Sequence, residues 1–497
     1  MSPAIPSRRD FLKTGATFAL GAPFIGRQKA MKPNLLFIWT DEQRADTLAV
    51  YGNQKIHAPN LNRLAGECVV FENAYVSQPV CTPSRATVMT GLWPHQTGCI
   101  ANNVPLPKNA KCFPEILNDP DYRTGYFGKW HLGDEVFAQH GFQEWQSMED
   151  GYRKYFGTDR DKDARSTYSQ WLKELGYKPD GKDEFSRGFC SRLPIEHCKP
   201  KFLELKACEF LQRYRREPFV LYVNFLEPHM PFSGPLNNEH DPSEVTLPAN
   251  FNDPLEENEP LRYRKTRERY AKKGYDGLDL KTEADWRRLI ARYWGLVTQV
   301  DRSVGAILKT LDGLGLAENT IVVYTSDHGD MMGSHRLLAK TVMYEEAVRV
   351  PWLMRIPKLG RRQQVVKGRF SQIDLVPTLL DLMGRRADGA LPGQSLVPLI
   401  RGGKVAEDHA FIEWNRHRAG SETEDSDDSV RTVIAPDGWK LCLSDKDKSQ
   451  LFNLNKDPGE TTNLFYSGEH RGVIKKLADR IFAWQKKVGD QDLAFAL

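Results

Sequence analysis

Cys81-Thr82-Pro83-Ser84-Arg85-Ala86-Thr87-Val88-Met89-Thr90-Gly91 decides how the rest of the chain is read. Pro83 suits the first turn of a helix, where its missing N–H would have no partner anyway. Ser84 to Met89 continue as helix, which places Cys81 at a helix N-terminus. Free N–H groups and the positive end of the dipole favour a negative ligand there. Arg85, one turn further in, adds a fixed cation with a fork of donors. The local physics is that of an anion site with a cysteine at its mouth.

Outward from this helix, strand-like runs alternate with helix-like runs. The first strand, Leu35-Leu36-Phe37-Ile38-Trp39, is apolar throughout and so buried on both faces. Arg123 to Lys129, Phe219 to Phe225, Thr320 to Thr325 and Val350 to Ile356 are further strands. Leu289, Tyr293, Leu296, Val300, Val304 and Leu308 share one face of a long helix, and Ile373 to Met383 forms a shorter one. Past about residue 400 four short strands (Ala410–Trp414, Val430–Ile434, Trp439–Leu443, Gln450–Leu454) precede a terminal helix over Val473–Val488. The fold class expected is α/β, a large mainly parallel sheet flanked by helices, with a smaller C-terminal α+β subdomain. The divisions expected are residues 1–30, 31–400 and 401–497.

Ligands of a doubly wound sheet bind beyond the carboxyl ends of its strands. Asp41-Glu42-Gln43-Arg44 follows the first strand, and Lys129-Trp130-His131 follows Phe127-Gly128. Glu227-Pro228-His229 and Ser326-Asp327-His328-Gly329-Asp330 follow two more. Any one of these is an ordinary charged turn. Four together read as one site. Asp41, Glu42 and Asp327 offer hard oxygen ligands of the kind Ca²⁺ or Mg²⁺ takes, and His328 adds a nitrogen.

The frame C-x-P-S-R-x-x-x-x-T-G, filled by Cys81 to Gly91, resembles the signature of the sulfatases. Gly128 to Gly133 looks like that family's second signature, and Pro228-His229-Met230-Pro231 like its P-H-x-P segment. Asp327 to Lys340, Tyr344-Glu345-Glu346 and Arg349-Val350-Pro351 resemble the stretch that carries its catalytic lysine. Leu451-Phe452-Asn453-Leu454 with Asp457-Pro458 looks like its closing motif. The resemblance implies that Cys81 is oxidised to formylglycine, whose hydrated aldehyde is the nucleophile. It implies one Ca²⁺ held by Asp41, Glu42, residue 81, Asp327 and His328. Glu42 departs from the family's usual aspartate by one methylene. Arg85 and Lys129 would hold the nucleophile's hydroxyls, and His131 would act as base for sulfate release. His229 and Lys340 would contact the bridging oxygen, with His229 as general acid. The implied activity is release of sulfate from a sulfate monoester, and size and export point to a sulfated small molecule or glycan. Phosphonate monoester or phosphodiester hydrolysis is the nearest other chemistry. An unmodified, non-catalytic binder of sulfated glycans is the reading from a different class.

Ser7-Arg8-Arg9-Asp10-Phe11-Leu12-Lys13 resembles the twin-arginine export consensus, with a short apolar stretch from Gly15 to Ile25 behind it. That stretch is too short to span a bilayer, which needs about 20 apolar residues, so a signal peptide is expected and no integral membrane segment. Export to the periplasm or beyond follows, with the twin-arginine machinery and a formylglycine-generating enzyme as partners. The whole formal charge of +4 resides in the first thirty residues, so the remainder gives no electrostatic case for binding nucleic acid. The eight cysteines include no C-x-x-C pair, which disfavours a thiolate zinc site. Cys190 and Cys198 are the nearest candidates for a disulfide, with free thiols the other reading. Arg262 to Tyr270 is a basic run, either a solvated helix face or a grip for a polyanionic glycan.

Overall fold

The computed structural model describes residues 32–416 and 427–491. The expected signal peptide and most of the acidic run Ser421 to Ser429 lie outside the described residues.

Eight strands form the central sheet: β1 (Asn34–Asp41), β2 (Val69–Phe71), β3 (Arg123–Gly128), β4 (Glu144–Gln146), β5 (Phe219–Pro228), β6 (Thr320–Ser326), β7 (Trp352–Arg355) and β8 (Gln364–Val366). Their order is β8-β2-β7-β6-β1-β5-β3-β4. All neighbours are parallel except β7, which runs antiparallel to both β2 and β6. The expected mainly parallel sheet is therefore present. β2, β4 and β8 were not anticipated, because three residues are too few to show a period.

β1 is central because both of its faces are apolar. Leu36 and Ile38 enter one core and Leu35, Phe37 and Trp39 the other, all fully buried. The first core is covered by two helices, Lys199–Arg213 and the 31-residue Glu283–Gly313, which brings Leu289, Leu296, Val300 and Val304 onto the sheet. The second is covered partly by the helix Cys81–Thr90 and by Leu375–Leu382. The C-terminal strands β9 (Ala410–Trp414), β10 (Val430–Ile434), β11 (Trp439–Ser444) and β12 (Gln450–Asn453) make an antiparallel sheet in chain order. The helix Arg471–Val488 packs on it through Leu477, Ile481 and Trp484. Lys440 on β11 pairs with Glu345 at 3.0 Å and Glu460 at 2.8 Å, so buried charges tie this sheet to the loop after β6.

Gly128 ends β3 at φ 122°, and a Cβ there would strike the Asn224 carbonyl oxygen of β5. Gly128→Ala is expected to destabilise the fold by about 2 kcal/mol or more, since strain and clash add. Thermal unfolding checks this, and an unchanged midpoint would contradict it. All eight cysteines are free thiols, Cys190 and Cys198 included.

Candidate active site

The strands β6, β1, β5 and β3 are parallel neighbours, so their carboxyl ends share one edge. That edge receives Asp327 and His328 from β6, Asp41 and Glu42 from β1, Asn224 and His229 from β5, and Lys129 and His131 from β3. The helix Cys81–Thr90 points its N-terminus at the same place, and every one of its residues is buried. The expected helix start is therefore present, with Gly91 closing the far end at φ 70°. The expected site residues converge, and all are buried.

One oxygen each of Asp41 and Asp327, His328 Nε2 and Cys81 Sγ lie within 4.8 Å of one another. Ligands on a sphere of about 2.3–2.6 Å radius around Ca²⁺ are separated by such distances. Further contacts prepare these atoms. His328 Nδ1 lies 2.8 Å from the Gly329 carbonyl oxygen and donates to it, which leaves the Nε2 lone pair facing the group. Asp41 gives its other oxygen to Arg85 at 2.9 Å and Lys129 at 2.5 Å. Asp327 gives its other oxygen to Arg85 Nε at 2.8 Å. The donor set fits a hard divalent cation.

Two residues take positions that the motifs alone did not specify. Glu42, at φ 66°, falls in a different group, with Asp41 and His229. Its Oε2 accepts from Lys340 Nζ at 2.9 Å and lies 3.3 Å from His229 Nε2. Arg85 spends its fork on Asp41, Asp327, the Lys129 carbonyl at 2.8 Å and Asn224 Oδ1 at 3.0 Å. It braces the carboxylates and lies over Trp39, 4.8 Å from the ring centroid. Lys129 Nζ is the cation nearer the nucleophile position, 3.9 Å from Cys81 Sγ.

His131 sits in a turn at φ 56°, held by Glu135, whose carboxylate accepts from the backbone N–H of both Trp130 and His131. Burial, then Lys129 and Arg85, hold its pKa well below the usual imidazole range, so it is neutral and able to take a proton. His131 Nε2 lies 3.2 Å from Asn103 Oδ1. Across the site His229 Nδ1 donates to the Met230 carbonyl at 2.7 Å, leaving Nε2 to accept from Lys340 Nζ at 3.1 Å. Burial and then the Lys340 charge depress His229, while Glu42 and other anions raise Lys340 against its own burial. The two residues expected at the bridging oxygen are thus joined by a hydrogen bond that Lys340 donates and His229 accepts. Asn224, Asn103 and Glu135 escaped the sequence reading. Asn224 lies inside an apolar strand, and nothing local marks the others.

The sulfatase family profile matches residues 33–385. The chain belongs to the sulfatase family. A second profile, that of the N-sulphoglucosamine sulphohydrolase C-terminal region, matches residues 333–487. This sulfatase is 30% identical to the uncharacterized sulfatase YidJ of Escherichia coli over 92% of its own length and 88% of that protein. It is 26% identical to an N-acetylglucosamine-6-O-sulfatase of Bacteroides thetaiotaomicron over 94% and 88% respectively. Its fold superposes with TM-score 0.76 on a protein solved with its substrate D-glucosamine-2-N,6-O-disulfate, at 24% identity and covering 93% and 99% of the two chains. The same TM-score relates it to a phosphonate monoester hydrolase of Agrobacterium radiobacter, at 23% identity and covering 92% and 96%. This sulfatase is thus a sulfuric ester hydrolase with the family's α/β fold and small C-terminal β-sheet.

Proposed function

We propose that this sulfatase releases sulfate from a sulfated carbohydrate, with formylglycine at position 81 and one calcium ion. The observation that carries the reading is the buried group of Asp41, residue 81, Asp327 and His328 at the mouth of a helix, with Lys129 and Arg85 beside it. Asp41, Asp327, His328 and residue 81 would hold the ion. It would supply positive charge against the sulfuryl oxygens. Formylglycine would supply a hydroxyl nucleophile that can later revert to an aldehyde. The names of the relatives, among them the N-acetylglucosamine-6-O-sulfatase and a Δ4,5-hexuronate-2-O-sulfatase of the same bacterium, support a sugar substrate.

The chain's own residues then divide the work. Lys129 orients the residue-81 side chain and neutralises charge on that flank. Lys340 and His229 share a hydrogen-bonded proton on the opposite flank, where the departing alcohol must be protonated. His131, neutral and buried, takes the proton whose removal frees sulfate. Phosphonate monoester or phosphodiester hydrolysis is the second reading, favoured by the fold match to a phosphonate monoester hydrolase. Turnover of an aryl sulfate against an aryl phosphodiester separates the two. Higher kcat/KM on the phosphodiester would reverse the assignment.

Export and maturation belong to the same proposal: the twin-arginine-like segment would deliver the folded enzyme outside the cytoplasm after Cys81 is oxidised. No helix among the described residues is long and apolar enough to cross a membrane. Chelation is expected to abolish activity, and Ca²⁺ to restore it better than Zn²⁺, because oxygen supplies three of the four ligands once residue 81 is formylglycine. Asp327→Ala is expected to lose metal and activity together, read by elemental analysis and sulfate release. Full metal content in that variant would displace the site.

A further inference from the structure

His131 is held at both ends of its backbone. Its N–H donates to Glu135, and its carbonyl accepts from the Thr82 hydroxyl at 2.8 Å. That hydroxyl also accepts from the Asn103 N–H at 3.3 Å. Thr82 follows residue 81 directly, so a side chain beside the nucleophile position ties Asn103 to His131. The Asn103 carbonyl accepts from the Tyr155 hydroxyl at 2.6 Å, and its backbone stands at φ 64°. Asn103 is thus fixed from both sides, in a conformation that asparagine tolerates better than most residues.

The ring of His131 meets that fixed residue through Nε2, 3.2 Å from Asn103 Oδ1. Its other nitrogen, Nδ1, is buried and has no hydrogen-bond partner among the described residues. A buried polar atom left open is costly unless a partner arrives during the reaction. The charges that act on the ring are Lys129, Arg85 and Arg187, which favour its neutral form, and Asp41, which opposes them. Glu135 is spent on the backbone N–H groups of Trp130 and His131, and the Tyr152 ring lies 5.3 Å away between centroids. An amide adds no charge to this balance, whereas a carboxylate in its place would favour the imidazolium.

We propose that Asn103 is a positioning residue for the base: it holds the His131 ring proton on Nε2 and so makes Nδ1 the atom that takes the proton in sulfate release. This rests on the role given to His131 above. A neutral imidazole carries one ring proton, and an amide oxygen only accepts, so the lone pair stays on Nδ1. His131 takes a hydroxyl proton of residue 81 on that atom. The O–H electron pair closes the carbonyl while the C–O bond to sulfate breaks, and sulfate leaves with the pair from that bond. The imidazolium keeps its Nε2–H on Asn103 and returns the Nδ1 proton to solvent. A neutral orienter fixes the ring without protonating it in advance, which suits a base that must start the step empty.

The test uses two substitutions at this position and 4-nitrophenyl sulfate, whose phenolate leaves without a proton. Asn103→Gly removes the oxygen and accepts φ 64° without strain. It is expected to lose about tenfold to a hundredfold in kcat, part of the 10²–10⁴-fold that general acid–base catalysis supplies. KM is expected to fall in step, so that kcat/KM stays close to wild type, and rapid mixing shows a burst of nitrophenolate before the slow phase. A purely structural lesion would lower kcat/KM and give no burst. Asn103→Asp keeps an acceptor at Nε2. Its carboxylate favours the imidazolium, and release needs neutral His131, so the acid limb of kcat is expected to move to higher pH by about one pH unit or more. Above that limb the variant recovers the rate that Asn103→Gly loses. Wild-type kcat in Asn103→Gly, or equal losses in kcat and kcat/KM, overturns the inference. So does Asn103→Asp as slow as Asn103→Gly at every pH, since the amide would then be a donor to Nε2. His131→Ala is the control. If it shows the burst and Asn103→Gly does not, only this inference fails. If neither shows it, the base assigned to sulfate release is wrong.

Discussion

Cys81→Ser is expected to lower turnover about a thousandfold or more, the scale on which loss of an enzyme nucleophile acts. Serine keeps a hydroxyl in the same place at the helix N-terminus, so binding of the anion survives. What it lacks is a second hydroxyl on the same carbon. A sulfated serine cannot expel sulfate by forming an aldehyde, and the enzyme stalls after one event. Cysteine left as a thiol fares no better, because burial and then Asp41 push the Cys81 thiol up to about 12. The direct measurement is the mass of the tryptic peptide Leu64 to Arg85 from active enzyme. It carries Cys68 as an internal control, a buried free thiol outside the site. Aldehyde at position 81 with thiol retained at position 68 is the expected result. Thiol at both positions in fully active protein would end the formylglycine mechanism.

His229→Ala is expected to cut turnover of a sulfated sugar by about 10²–10⁴-fold, the usual range for general acid–base catalysis. The same change is expected to cost far less on 4-nitrophenyl sulfate, whose phenolate leaves without a proton. The pairing of His229 with Lys340 at 3.1 Å sharpens this experiment. If His229 passes the proton on, its loss depends on the leaving group. Equal losses on the two substrates would mean that His229 binds the sulfate without supplying the proton, which leaves Lys340 as the donor. His131→Ala acts elsewhere. It is expected to slow sulfate release with little dependence on the alcohol, and to show a burst of alcohol product in rapid-mixing kinetics.

Both substitutions touch residues that were legible in the sequence, and the reason is local. Cys81, Pro83 and Arg85 are fixed by one turn of helix, and Asp41, Lys129, His229 and Asp327 each follow an apolar strand whose burial is written in its composition. Parallel pairing then brings the strand ends to one edge. β2, β4 and β8 were not legible because three residues carry no period.

Chain chemistry alone determined which residues meet at that edge and which family they belong to. Only the tertiary structure decided how their donors are shared. Arg85 turns to the carboxylates because two of them, together with the Lys129 carbonyl and Asn224, surround its fully buried fork. Glu42 faces Lys340 and His229, 298 and 187 positions away, because its left-handed backbone at φ 66° turns it from the strand axis. Glu135 gains its role within one turn, where it accepts from the Trp130 and His131 N–H groups, and no motif marks it. Short-range periodicity fixes elements, whereas the direction of a buried charge is set by whatever partners the packed chain places around it.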